Sequence, residues 1–117
     1  MDTEALIQIC LQYPGASLVY PFDEPHAVVK HTRNGKWFAL ITHWQGRVII
    51  NLKCPPEESA LLRRIYSDIV PAWHMNKTHW NTIFTQGNVP ADVIGNLIAI
   101  SYNLTAPRVK HPRGTGV

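Results

Sequence analysis

The sequence predicts an α+β domain, an antiparallel sheet with helices packed mainly on one face. Two observations point there. Stretches with strand-like alternation cluster between Ser17 and Lys53, and stripes of helical period stand before and after them. Strands and helices therefore segregate along the chain instead of alternating as they do in parallel α/β folds.

Residues 3–13 read as the first helix. Ala5, Leu6, Ile9, Cys10 and Tyr13 fall on one apolar stripe, Asp2 or Thr3 can cap it, and Glu4 suits the positive end of its dipole. Pro14-Gly15 stops it. Short strands follow at 17–20 and 27–31. Asn34-Gly35 then signals a hairpin, because a type I′ turn needs positive φ at both central residues. Residues 36–42 return, and His43-Trp44-Gln45-Gly46 makes a second tight connection. Residues 47–53 alternate, with Val48, Ile50 and Leu52 on a core face and Arg47, Ile49, Asn51 and Lys53 on a more polar one.

Pro55-Pro56 ends the sheet and starts a helix over 57–67. It is acidic at its start and basic at Arg63 and Arg64, with Leu61, Leu62, Ile65 and Tyr66 as its expected buried stripe. Residues 68–75 read as a loop and 78–85 as a strand. Gln86-Gly87-Asn88 is a turn, and Pro90 opens a last helix to about Leu104, with Ser101 among its inward residues. Gly95 within that helix costs about 1 kcal/mol against Ala. The division expected is one domain over 1–105 and a loose basic tail over 106–117.

The chain has 117 residues, enough for one core, and 45% hydrophobic with 16% charged residues describe a globular protein. Cys10 and Cys54 form no metal spacing and read as free thiols of a reducing compartment. Asp2 and Glu4 stand where a signal peptide carries Lys or Arg, and no run of roughly 18 apolar residues occurs. The expected location is the cytoplasm, with no membrane partner.

Charge is unevenly placed. Net charge is +3, yet residues 1–107 balance eight cations against eight acids, so the excess lies in Arg108, Lys110 and Arg113. Residues 25–56 hold Lys30, Arg33, Lys36, Arg47 and Lys53 and no acid at all. Those five, with Lys77, are the candidate nucleic-acid contacts, since phosphate binding favours cations on hairpin tips. The bland reading is that such cations solvate strand edges.

The densest cluster of polar and aromatic residues is "HMNKTHW" at 74–80. His74 and His79 do not have the spacing of two ligands on one helix face, and no carboxylate or cysteine stands near enough to complete a zinc centre. No nucleophile elbow or glycine-rich phosphate loop occurs. No catalytic residue, metal or cofactor is therefore expected. His74, Asn76, Lys77, His79 and Trp80 form either a hydrogen-bonded corner between the second helix and the last strand, or a recognition surface, or a catalytic or metal site.

The chain resembles the MmcQ/YjbR family of small bacterial proteins. The resemblance runs from the first helix to about Leu104 on "YPF" at 20–22, "KWFALI" at 36–41, "INLKCPPEESALLR" at 50–63, "HMNKTHWNTIF" at 74–84 and "SYNL" at 101–104. It implies a compact two-layer α+β domain similar to type III secretion chaperones and, more broadly, to the frataxin shape. It also implies DNA binding through a double wing, which here would be the hairpins 27–42 and 37–53. It offers no catalytic residues. The tail lies outside the common pattern, and a first helix with only Asp2 and Glu4 lacks the acidic ridge of an iron-binding frataxin.

The expectation is thus a non-enzymatic domain binding DNA weakly and without sequence preference. The alternatives are a protein-binding or chaperone-like module and, behind it, a small-ligand protein or enzyme centred on His74 and His79.

Overall fold

The computed structural model describes residues 1–108. The elements are α1 (Thr3–Leu11), β1 (Ala16–Val19), β2 (Ala27–His31), β3 (Trp37–Trp44), β4 (Arg47–Lys53), α2 (Pro56–Ile65), β5 (Ile69–Pro71), β6 (Trp80–Phe84) and α3 (Ala91–Thr105). The strands form one sheet in the order β1-β2-β3-β4-β6-β5, and all its neighbours are antiparallel. The fold class expected from the sequence is the one observed.

Helices α1 and α3 cover one face. Leu6 and Cys10 of α1 and Ile94 and Ile98 of α3 are buried against Phe38, Ile41, Ile50 and Ile83 of the sheet. Ser101 fixes α3 across two strands: its buried hydroxyl donates to the Phe38 carbonyl at 2.6 Å and accepts from the Lys53 amide at 2.9 Å. Asp2 caps α1, its side chain accepting from the Ala5 amide at 2.8 Å. Residues 109–117, where most of the loose tail was expected, lie outside the described residues.

Four local expectations are corrected. In the β2–β3 connection only Gly35 has positive φ, so Asn34-Gly35 is not a type I′ turn. Asn34 instead uses its side chain, accepting from the Lys36 amide at 2.9 Å and donating to the Thr105 carbonyl at 3.0 Å. The two positive φ values fall in the other hairpin, at Gln45 (50°) and Gly46 (74°).

Second, the segment read as a loop over 68–75 contains the edge strand β5, three residues long and ending in Pro71. Third, the expected buried stripe of α2 is split. Leu62 and Tyr66 pack on the core, whereas Leu61 and Ile65 are 53% and 58% exposed. Helix α2 lies beside β5 at the sheet's edge, with too little sheet beneath it to cover a wide stripe.

Fourth, the second face of β4 is not a solvated face. Ile49 and Asn51 are buried there, although no helix covers them. They form part of the floor of a cleft.

Candidate functional sites: a cationic end and an aromatic cleft

Antiparallel topology decides which candidate cations meet. The two hairpins share β3, so their turns must lie at opposite ends of it. Strand β3 has eight residues, and at about 3.3 Å per residue its ends stand about 23 Å apart. The β2–β3 turn carries Arg33 and Lys36. Lys30 pairs with Trp37 at the same end of the sheet, and Lys53 pairs with Trp80 there. The β5–β6 connection also lies at that end and carries Lys77. Five of the six candidate cations thus share one end.

Arg47 is at the other end and is already engaged. Its guanidinium donates to Asp68 at 3.2 Å and lies 3.9 Å from the centroid of the Phe84 ring. A side-by-side pair of basic wings is not what the topology builds.

The acids segregate the other way. Asp23 and Glu24 lie in the β1–β2 connection and Asp68 beside the β6 turn, all at the Arg47 end. Asp2 and Glu4 stand at the start of α1, where Thr3 reaches His43 at 3.5 Å, and Asp92 stands at the start of α3. Six of the eight acids are therefore at one end, while Glu57 and Glu58 begin α2 near the cationic one. Chain direction explains this: α1 and α3 both start at the acidic end, where their dipoles favour carboxylates. Both run toward the cationic end. There the last residues of α3 meet the β2–β3 turn through Asn34 and the exposed Arg108 follows.

The "HMNKTHW" stretch forms a hydrogen-bonded corner at the cationic end. Asn76 organises it. Its side chain accepts from the Thr78 amide at 3.0 Å, and its carbonyl accepts from the amides of His79 and Trp80 at 3.1 and 2.8 Å. Arg63 of α2 donates to the Asn81 side chain at 2.7 Å and to the Lys77 carbonyl at 2.5 Å, tying helix to strand. The carbonyl of His79 accepts from the Cys54 amide at 2.8 Å. Trp80 is half-buried, and its carbonyl accepts from the Ala72 amide at 3.1 Å. Lys77 projects outward, its ammonium 4.9 Å from the centroid of the Trp73 ring.

His74 turns out to belong to the cleft, and His79 does not. The cleft lies on the helix-free face of the sheet and has a volume of about 650 Å³. Its floor is Leu40 and Thr42 of β3, Ile49 and Asn51 of β4 and Thr82 of β6. Two walls rise from opposite ends of the sheet: Phe22 and His26 from the β1–β2 connection, and Trp73, His74 and Met75 from the β5–β6 connection. Trp44 and Phe84 stand together at one side, with ring centroids 6.0 Å apart. Polar groups of the floor pair with one another. Thr82 donates to Asn51, Asn51 donates to the Leu40 carbonyl at 3.4 Å, and Thr42 pairs with His26 at 3.0 Å.

Sequence reasoning missed the cleft because its lining comes from five separate segments. The available signal was Ile49 on a strand face read as polar, together with the aromatics Phe22, Trp44 and Trp73 in connections.

Both thiols are buried. Burial pushes Cys10 up to about 12 and raises Cys54, so neither is an activated nucleophile. Among the described residues no three His, Cys, Asp or Glu side chains are grouped to hold a metal, and no helix is long and apolar enough to cross a membrane.

A six-stranded antiparallel sheet with helices on one face, a cleft on the other and charge divided between its ends defines a small two-layer α+β domain. The comparisons with known proteins make this specific. The family model described as YjbR matches residues 11–104, and the chain belongs to the YjbR family.

Among its relatives, the uncharacterised protein YjbR of Escherichia coli (strain K12) is 33% identical, over 87% of this chain and 85% of its own length. The uncharacterised protein YyaQ of Bacillus subtilis (strain 168) is 39% identical, over 78% of this chain and 86% of its own. Solved structures agree. A crystal structure of a Pseudomonas syringae protein superposes with a TM-score of 0.80 at 32% identity, covering 91% of this chain and 100% of that one. A Deinococcus radiodurans protein with a DUF419 domain gives 0.79 at 33% identity, covering 86% and 75%.

Proposed function

We propose that this chain is a non-enzymatic domain that binds DNA weakly and without sequence preference, end-on, through its cationic end. The observation that carries the reading is the gathering of Lys30, Arg33, Lys36, Lys53 and Lys77 at one end of the sheet, with six of the eight acids at or near the other. The separation of about 23 Å exceeds the Debye length of about 8 Å at physiological salt, so the distant acids do little to cancel attraction at the cationic end. Arg33 and Lys36 are exposed on a turn and can reach a phosphate, whereas Lys30 and Lys53 are half-buried and act mainly through their field. Contacts of Lys and Arg to phosphate carry no sequence information, which is why no sequence preference is expected.

The test is binding of a random duplex by the full chain over a range of salt. Arg33→Glu with Lys36→Glu removes most of the affinity and lowers the log–log salt slope by about 2, one for each phosphate that is no longer neutralised. Arg47→Glu, at the opposite end, leaves binding close to that of the parent. Equal losses from the two sets of changes would overturn the end-on reading.

A further inference from the structure

The cleft on the free face of the sheet is separate from the turn that carries Arg33 and Lys36. We infer that it is a binding site for a small aromatic carboxylate, held by its ring in the cleft and by its charge at Lys77. Its volume of about 650 Å³ lies within the roughly 300–1,000 Å³ typical of ligand clefts. Phe22, Trp44 and Trp73 line it and are 61%, 46% and 67% exposed, although large aromatics ordinarily bury their surface. Three such rings on one cleft are surface that a flat ring would cover.

The polar chemistry decides which kind of ring. Asn51, Thr82, Thr42 and His26 bond to one another or to backbone and His43 reaches Thr3, so the floor offers a ligand mostly apolar contact. His74 on the wall is the lining imidazole with no hydrogen-bond partner among the described residues. A ligand's polar group therefore belongs beside the Trp73–His74 wall, next to Lys77. No Asp or Glu lines the cleft. Lys77 does not itself line the cleft, but its ammonium lies 4.9 Å from the centroid of the Trp73 ring, which does, and it has no acid partner among the described residues, where the one salt bridge is Arg47–Asp68. A cation without a counter-ion beside a cleft without carboxylates favours an anionic group on an aromatic body, and the repulsion from Lys77 opposes a cationic one.

The test uses the full chain and three probes of one shape: naphthalene-2-carboxylate, neutral 2-naphthamide and cationic 2-naphthylmethylammonium. Affinities are read from the indole N–H signals of the four tryptophans in nitrogen-15 NMR spectra. The carboxylate shifts the signals of Trp44 and Trp73, which line the cleft, and leaves that of Trp80, which does not. It binds about fivefold more tightly than the amide, as expected for one partly exposed ion pair, and the ammonium binds most weakly. Lys77→Gln lowers carboxylate affinity to the level of the amide and leaves the amide unchanged. The fold survives this change, because the corner uses the backbone carbonyl of residue 77 and not its side chain. The inference is overturned if no probe moves Trp44 or Trp73, if the ammonium binds as tightly as the carboxylate, or if Lys77→Gln weakens all three alike.

Discussion

Gly87 shows how one residue can hold two elements together. A Cβ added there would strike the carboxylate of Asp68, with the Asp68 Cγ only 2.5 Å away. That carboxylate cannot simply swing aside, since it accepts from the Asn88 amide at 2.7 Å and from Arg47 at 3.2 Å. Gly87→Ala should therefore cost about 1–3 kcal/mol, read as a fall in the urea midpoint, even though residue 87 is at the surface. His31 is a second such residue. It is buried beneath Tyr102, with Nε2 donating to the Tyr102 carbonyl at 3.0 Å and 2.9 Å from the Thr105 hydroxyl. Burial lowers its pKa below the ordinary 6.5. The unfolded chain then takes up the proton first. The contribution of His31 is complete above the ordinary value and is lost as the pH falls from there through the folded value. Denaturation at pH 7.5 and pH 5 should show a smaller difference for His31→Gln than for the parent.

At the scale of elements, periodicity made the order of helices and strands legible, and capping made their starts legible. Asp2 before a stripe and Pro56 at a helix start are strong local signals. Where the reading departed, tertiary context had overridden local pattern. Strand β5 is three residues with a proline, too short to alternate visibly, and exists because β6 offers it an edge. Asn34 keeps a negative φ while its side chain bonds the Thr105 carbonyl, and the tight two-residue turn with two positive φ values is Gln45-Gly46, closed by the Trp44–Arg47 pair. Helix α2 has a clear apolar stripe, yet only its Leu62 and Tyr66 side finds a partner. Leu61→Lys and Ile65→Lys should each change stability by no more than about 0.5 kcal/mol, whereas Leu62→Ala should cost at least about 1 kcal/mol. Urea denaturation of the three variants separates the observed packing from a fully buried stripe.

For the whole molecule, the legible quantity was charge along the chain, and the illegible one was where the fold would send it. The acid-free run over 25–56 is visible at a glance. That Arg47 leaves its neighbours and joins the acids follows only from two hairpins sharing β3. Lys77 joins the cations because β5, invisible in the sequence, brings its connection back to the same end. The cleft was hidden for a similar reason: its lining is scattered along the chain and converges only when both connections fold over the free face.

The effect of the charge division must be separated from that of the tail's own cations. The most direct measurement is salt-titrated binding of a random duplex to the full chain carrying Arg108→Ser, Lys110→Ser and Arg113→Ser, with and without Arg33→Glu and Lys36→Glu. Retained binding with a steep salt slope, which flattens by about 2 when the turn's charge is reversed, is the expected result. Binding that disappears with the tail's charge, or a slope indifferent to Arg33 and Lys36, would contradict it.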